Sequence, residues 1–260
     1  MDRREFLKKS AIGIASVAAV GLLGKTVYDM MEENEEQTTN KINTDMKKIM
    51  IIDGGPRKNM NTAAMVAAFA EGAREAGAEV KVVRLYELEY TGCVSCLACK
   101  LKNSKFLDVC AVRDGLEPVL REAAYADGLV FASPMYFFQI TAQLRAFLER
   151  LVFPWLSYND YSSNPPKGHI PTCFIYTMNA PQEMVHVQQR NMEENEMIIA
   201  NALGKPERIE IYNTLQVKDY SRYEMGGFNL EAKQRWHEEH WQQDLDRCRD
   251  AGKRMAEKTK

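Results

Sequence analysis

The sequence predicts an α/β domain in three layers, a five-stranded parallel sheet doubly wound by helices. Two observations predict it. Five short apolar runs of strand length recur from Lys47 onward, and stretches of helical period lie between them, which is the mark of strands and helices alternating around one sheet. A chain of 260 residues with 45% hydrophobic and 27% charged content can bury a sizeable core without disulfide or metal staples.

Residues 1–25, "MDRREFLKKSAIGIASVAAVGLLGK", stand apart from that domain: a basic start is followed by a weakly apolar run from Ala11 to Gly24 and then Lys25. At about 1.5 Å per helical residue the run falls short of a hydrocarbon core of roughly 30 Å, so it is expected to act as an address rather than a permanent span. The stretch around Arg3 and Arg4, with Phe6, Leu7 and Lys8 behind the pair, resembles a twin-arginine export signal. That resemblance implies export of the folded protein, leaving it periplasmic or anchored outside the cytoplasm. Residues 26–46 follow as a linker, acidic and polar from Asp29 to Asp45, with no apolar period to drive folding.

The domain is expected over residues 47–260. Its strands are Lys47–Asp53, Glu79–Leu85, Gly128–Ser133, Thr172–Thr177 and Arg208–Asn213. Helices are expected at Asn61–Ala76, Asp114–Ala126, Thr141–Phe153, Glu183–Ala202 and Leu230 to about Lys258, with Gly77 and Gly204 placed to end two of them. A formal net charge of -2 with both signs interspersed gives no field for a polyanion, and nucleic acid is not an expected partner.

In doubly wound folds ligands sit beyond the carboxyl ends of the strands. After the first strand comes "GGPRKNMNT": Gly54 and Gly55 permit a tight turn, Asn61 or Thr62 can cap the next helix, and Arg57 and Lys58 flank free amides suited to a phosphate monoester. The loop matches neither a dinucleotide fingerprint nor a Walker A sequence. After the third strand, Ser133 and Pro134 lead through Met135 to three aromatics, Tyr136, Phe137 and Phe138, before Thr141 opens a helix. Those rings suit a flat, half-apolar ligand, and one of Phe137 and Phe138 is expected in the core.

The two loops together resemble the flavodoxin-like NADPH-dependent FMN reductase family, its iron-sulfur flavoprotein branch included. The likeness runs from Lys47 to Leu151 and more weakly to Tyr212. Its phosphate loop is matched by Gly54, Pro56, Arg57, Asn61 and Thr62, with Gly55 in place of a serine. Its ring-bordering segment is matched by Ser133, Pro134, Tyr136 and Phe137, with Phe138 in place of a glycine. The resemblance implies a flavodoxin-like sheet of order 2-1-3-4-5 and FMN as cofactor. The main-chain amides of Met135 to Phe138 would lie at the ring, and Thr177, opening "TMNAPQ", would close the pocket. It also implies pairing as a homodimer. FMN rather than FAD is expected, because nothing in the strand-one loop reads a second phosphate or an adenine.

Cys93, Cys96, Cys99 and Cys110 form C-x-x-C-x-x-C and a distant fourth thiol. The spacing admits a metal centre, zinc or a cluster, or thiols without a metal. In the iron-sulfur flavoprotein branch a similar motif binds a [4Fe-4S] cluster, which makes these four its expected ligands here. Cys173 and Cys248 are expected as packing residues, and His237 and His240 as a solvated helix face.

The expected function is an exported FMN-dependent oxidoreductase that passes electrons to a small acceptor such as a quinone, or to a redox partner. Outside the cytoplasm its donor would be a membrane quinol or an exported redox protein. The alternatives are an electron-transfer iron-sulfur flavoprotein without a substrate of its own, and a flavin-free thiol or metal module.

Overall fold

A computed structural model describes residues 46–259. The twin-arginine-like segment and the acidic linker up to residue 45 lie outside the described residues. Five strands, β1 (Lys48–Asp53), β2 (Glu79–Arg84), β3 (Gly128–Pro134), β4 (Thr172–Thr177) and β5 (Glu207–Ile211), form one sheet in the order β2-β1-β3-β4-β5. Every neighbouring pair is parallel; Ile51, for example, is in register with Val82 on one side and Val130 on the other. The helices are α1 (Asn61–Glu75), α2 (Glu117–Ala124), α3 (Ala142–Val152), α4 (His186–Leu203) and α5 (Leu230–Lys258). The second helix is shorter than expected, starting at Glu117 rather than Asp114 because Asp114 is occupied in a turn, accepting the Leu116 amide at 3.1 Å.

The period-two geometry of a strand divides β1 between two cores. Met50 and Ile52 pack with α2, α3 and α4, whereas Ile49 and Ile51 pack with α1 and α5. These residues are buried on both faces, so the run is continuously apolar. Gly77 and Gly204 end α1 and α4 at φ of +89° and +95°, the left-handed conformation that glycine adopts at least cost.

On the α1/α5 side the two helices touch backbone to backbone. A Cβ on Gly72 would lie 1.9 Å from the Arg249 carbonyl oxygen, and one on Gly252 would lie 2.1 Å from that of Phe69. No larger residue fits either position, and the approach fixes α1, whose first turn opens at the carboxyl edge of the sheet. Among the described residues no helix is long and apolar enough to cross a membrane.

Candidate functional site

The loop after β1 is shaped by Asp53. Its carboxylate is fully buried and accepts the Gly55 amide at 2.8 Å and an Arg84 guanidinium N–H at 2.9 Å. Burial pushes the Asp53 carboxyl up, opposed by the Gly55 amide and by Arg84. A Cβ added to Gly55 would meet Asp53 Oδ1 at 2.9 Å and Thr62 Cβ at 3.0 Å. Glycine therefore stands at 55 because the carboxylate beneath the loop leaves no room for a side chain.

Neither Asn61 nor Thr62 caps α1. Met60 is the N-cap residue, and no side chain accepts from the first turn, so the helix's leading amides stay available to an anion. The Asn61 amide group donates instead to the Leu215 carbonyl at 2.8 Å, and Thr62 shares a buried hydrogen bond of 2.7 Å with Thr177 at the end of β4. Arg57 donates to the Gln216 carbonyl. The loop is thereby fastened to the segment following β5.

These contacts enclose a cavity of about 290 Å³ at the carboxyl edge of the sheet. Gly55, Pro56, Arg57, Asn61 and Thr62 form one wall, Pro134, Met135 and Tyr136 a second, and Thr177 a third. Four expected site residues lie outside it. Gly54 is buried beneath the loop, donating to the Ala132 carbonyl at 2.8 Å and accepting from the Thr141 hydroxyl at 2.9 Å. Ser133 is fully buried, and its hydroxyl accepts the Thr141 amide at 3.0 Å. Both residues are supports. Phe137 and Phe138 also stand apart from the cavity lining.

Neither phenylalanine is in the core. Tyr136 and Gln139 pair through both backbone groups, at 2.8 and 3.0 Å, making a two-residue turn with Phe137 and Phe138 at its tip. Their φ values are +48° and +69°, and Phe137 is 97% exposed. Such turns favour Asn and Gly, so the tip carries strain. The amides of Met135 and Tyr136 are also occupied, by the carbonyls of Thr177 and Gln139, leaving fewer donors for a ring than expected.

Met60, within the loop after β1, and Asn179, within "TMNAPQ", complete the lining together with Thr214, Gln216, Val217 and Met225, which sequence reasoning did not reach. Lys233, on α5, supports two of their segments: it is buried, and its ammonium donates to the Asn179 carbonyl at 3.0 Å and to the Asn213 side chain at 2.8 Å. With no carboxylate beside it, burial pulls its pKa down to about 8.

The segment from Cys93 to Cys110 does not converge. Cys93 and Cys96 are exposed, Cys99 is buried and Cys110 half-buried. Among the described residues no three Cys, His, Asp or Glu side chains gather closely enough to hold a metal ion, so this arrangement does not fit a cluster or zinc. Other groups hold the segment. Buried Arg150 donates to the Thr91 and Val112 carbonyls and to Asp114, and Trp155 donates to the Asp108 carbonyl at 2.9 Å. The stretch after α3 that carries Trp155 thus packs on the cysteine segment. Cys173 and Cys248 are fully buried, and burial pushes the Cys248 thiol up to about 12. His237 and His240 are half-buried, not solvated: His240 stacks on Trp236 with centroids 3.8 Å apart.

The cavity fits the phosphate end of a flavin mononucleotide: unfilled helix amides and an arginine on one side, a glycine where a Cβ would clash, and an aromatic turn across from them. The sequence model of the family described as NADPH-dependent FMN reductase matches residues 47–200. A relative from Archaeoglobus fulgidus named iron-sulfur flavoprotein is 24% identical over 215 residues, covering 82% of this chain and 80% of its own. Another of that name, from Methanosarcina thermophila, is 33% identical over 105 residues, 40% of this chain and 52% of its own. The chain thus spans about half the length of that relative. Among solved structures, the NAD(P)H:quinone oxidoreductase from Methanothermobacter marburgensis superposes with a TM-score of 0.56 at 16% identity, covering 80% of this chain and 96% of that one. At that identity the likeness is one of fold.

Proposed function

The chain belongs to the NADPH-dependent FMN reductase family, and from that premise we propose that it is an FMN-dependent oxidoreductase that reduces a small, flat acceptor of the quinone kind. The observation that carries this reading is the cavity itself, in which a phosphate site at the start of α1 opens onto the Pro134–Tyr136 turn.

FMN, when bound, supplies the electron and hydride chemistry. The chain's own residues do the placing. Arg57 and the leading amides of α1 offer a phosphate charge-assisted hydrogen bonds. Asp53 holds the Gly55 amide and fixes the loop's path, while Arg84 offsets the charge beneath it. The Thr62–Thr177 bond locks the helix start to the end of β4. Tyr136 offers aromatic surface in the cavity wall, which supports a planar acceptor over an aliphatic one. No step is routed through the cysteine segment.

The site of action is part of the same reading. The likeness of residues 1–25 to a twin-arginine signal supports export of the loaded protein, a route suited to a cofactor acquired before translocation.

The test is spectroscopic and then kinetic. Purified protein should show the absorption bands of oxidised flavin, release FMN on denaturation, and after anaerobic reduction transfer electrons to a quinone at about 10 per second or faster. A colourless protein that takes up no FMN would end this reading.

A further inference from the structure

A buried ammonium without a carboxylate is costly, and α5 carries one. Lys233 is 3% exposed and forms no ion pair among the described residues. Its partners are all neutral: the Asn179 carbonyl at 3.0 Å, the Asn213 side-chain oxygen at 2.8 Å, and the Phe228 ring, whose centre lies 5.3 Å from the ammonium. Each asparagine stands two residues from a group hydrogen-bonded to the first turn of α1. Thr177, before Asn179, meets the Thr62 hydroxyl, and Leu215, after Asn213, accepts from the Asn61 side chain. Phe228 leads to the same wall, since its ring meets Tyr220 edge-on at 5.6 Å and the Tyr220 hydroxyl accepts the amide of Gln216, a residue of the cavity lining. All three contacts of the ammonium therefore run to the segments that flank the phosphate end of the cavity.

The charges of the neighbouring elements do not compensate it. Glu183 after β4, Lys218, Asp219, Arg222 and Glu224 after β5, and Glu231 and Arg235 on α5 are exposed to water. His237, one turn along α5, is half-buried, and its proton answers to burial, Glu238 and Asp244. Arg57 is the charged residue of the cavity lining itself, and it is a second cation. Such a pair of cations calls for an anion, and opposite charges attract through low-dielectric protein far more than through water, without direct contact. We infer that Lys233 is the long-range counter-charge of the FMN phosphate, its ammonium held behind the wall and the dianion held in front of it. This rests on the FMN reading above and deepens it.

Binding and protonation are then linked: a dianion that keeps the proton on Lys233 is itself held more tightly by the protonated protein. Burial alone pulls Lys233 down to about 8, so at pH 8.5 roughly a quarter of the molecules without cofactor carry that proton. Holding it about ten times more firmly once FMN is seated takes the share to about three quarters. The phosphate monoester, with a second pKa of about 6, is already fully ionised there.

Calorimetric titration of cofactor-free protein with FMN at pH 8.5, in two buffers of different ionisation enthalpy, counts the protons. Wild type should take up about half a proton per FMN, and Lys233→Met and Lys233→Arg none. Between pH 7 and pH 10 the wild-type Kd for FMN should rise about tenfold relative to that of Lys233→Arg, whose guanidinium keeps its charge throughout. A strut without an electrostatic role would move neither reading. Riboflavin, which lacks the phosphate, should bring no proton with it; an uptake equal to that of FMN overturns the phosphate as the partner. Wild-type binding of FMN without proton uptake, or the same uptake in Lys233→Met, overturns the inference while FMN binding stands, and the wild-type measurement decides even where a variant fails to fold. Failure to bind FMN at any pH instead overturns the functional reading beneath it.

Discussion

The hydroxyls of Thr62 and Thr177 meet at 2.7 Å in a buried position, joining the first turn of α1 to the last residue of β4 and so closing two walls of the cofactor cavity against each other. Replacing Thr62 alone by valine leaves the Thr177 hydroxyl buried without a partner, at a cost of about 1–3 kcal/mol. Replacing both by valine removes the orphan and should recover most of that loss. A double-mutant cycle on urea stability and on FMN dissociation checks it; additive losses would mean the two hydroxyls act independently.

Gly55→Ser restores the hydroxyl seen in the resembling family but meets Asp53 Oδ1 at 2.9 Å. The expected result is weaker FMN binding and a loss of about 1–3 kcal/mol in stability from overpacking. Pairing it with Asp53→Ala should relieve the clash. Fluorescence titration of FMN against both variants would show whether the carboxylate is the obstacle.

Lys233 makes a pH dependence with a definite sign. In the unfolded chain its ammonium keeps its proton to about 10.5, whereas burial brings the folded value to about 8. Between those pH values the unfolded state binds more protons, so this group's contribution rises with pH, is complete above about 10.5, and is lost as pH falls through 8. The total is up to about 3 kcal/mol at roughly 1.4 kcal/mol per unit. Relative to Lys233→Met, wild-type stability in urea should climb from pH 8 to 10.5; parallel curves for the two proteins would refute the assignment.

Phe137→Gly should stabilise the fold by about 0.5–1 kcal/mol. Its φ of +48° costs a phenylalanine and not a glycine, and a side chain 97% exposed gives up almost no burial. The same change should lower kcat/KM for a quinone if the exposed ring helps seat the acceptor. A variant neither more stable nor less active would leave the strained tip without a role.

Arg3→Lys/Arg4→Lys should hold the protein in the cytoplasm with FMN bound if the export reading is right. Cell fractionation with flavin quantitation reads both, and normal export of the variant would make the motif match accidental.

The sheet was legible in the sequence because its central strands β1, β3 and β4 are buried on both faces and so become unbroken apolar runs, as in Ile49 to Ile52. The phosphate loop was legible because it is local, from Gly54 to Thr62. Its tethering was not: Arg57 and Gln216 are separated by 159 residues, and no local pattern announces such a pair. Attention to the loops after strands one, three and four left out the segment after β5, which supplies Thr214, Gln216 and Val217. Asn61 and Thr62 have the composition of caps, yet long-range partners outcompeted the local role. The stacking of His240 on Trp236 could have been found, since residues four apart share a helix face.

The glycine-to-glycine crossing of α1 and α5 carries a consequence for timing. The helix that presents the phosphate loop begins at Asn61, but it is seated on a helix made much later, Leu230–Lys258. Until those residues leave the ribosome, α1, Phe69 and Ala73 included, packs on the sheet alone and lacks its helical neighbour. The pocket's supporting helix is therefore complete only once Lys258 has left the ribosome, and loading follows synthesis of this domain rather than accompanying its first half. A nascent chain arrested before Leu230 should carry no flavin, and the order of steps is then set by the domain's own topology: synthesis, docking of Leu230–Lys258, cofactor, and only afterwards any journey elsewhere.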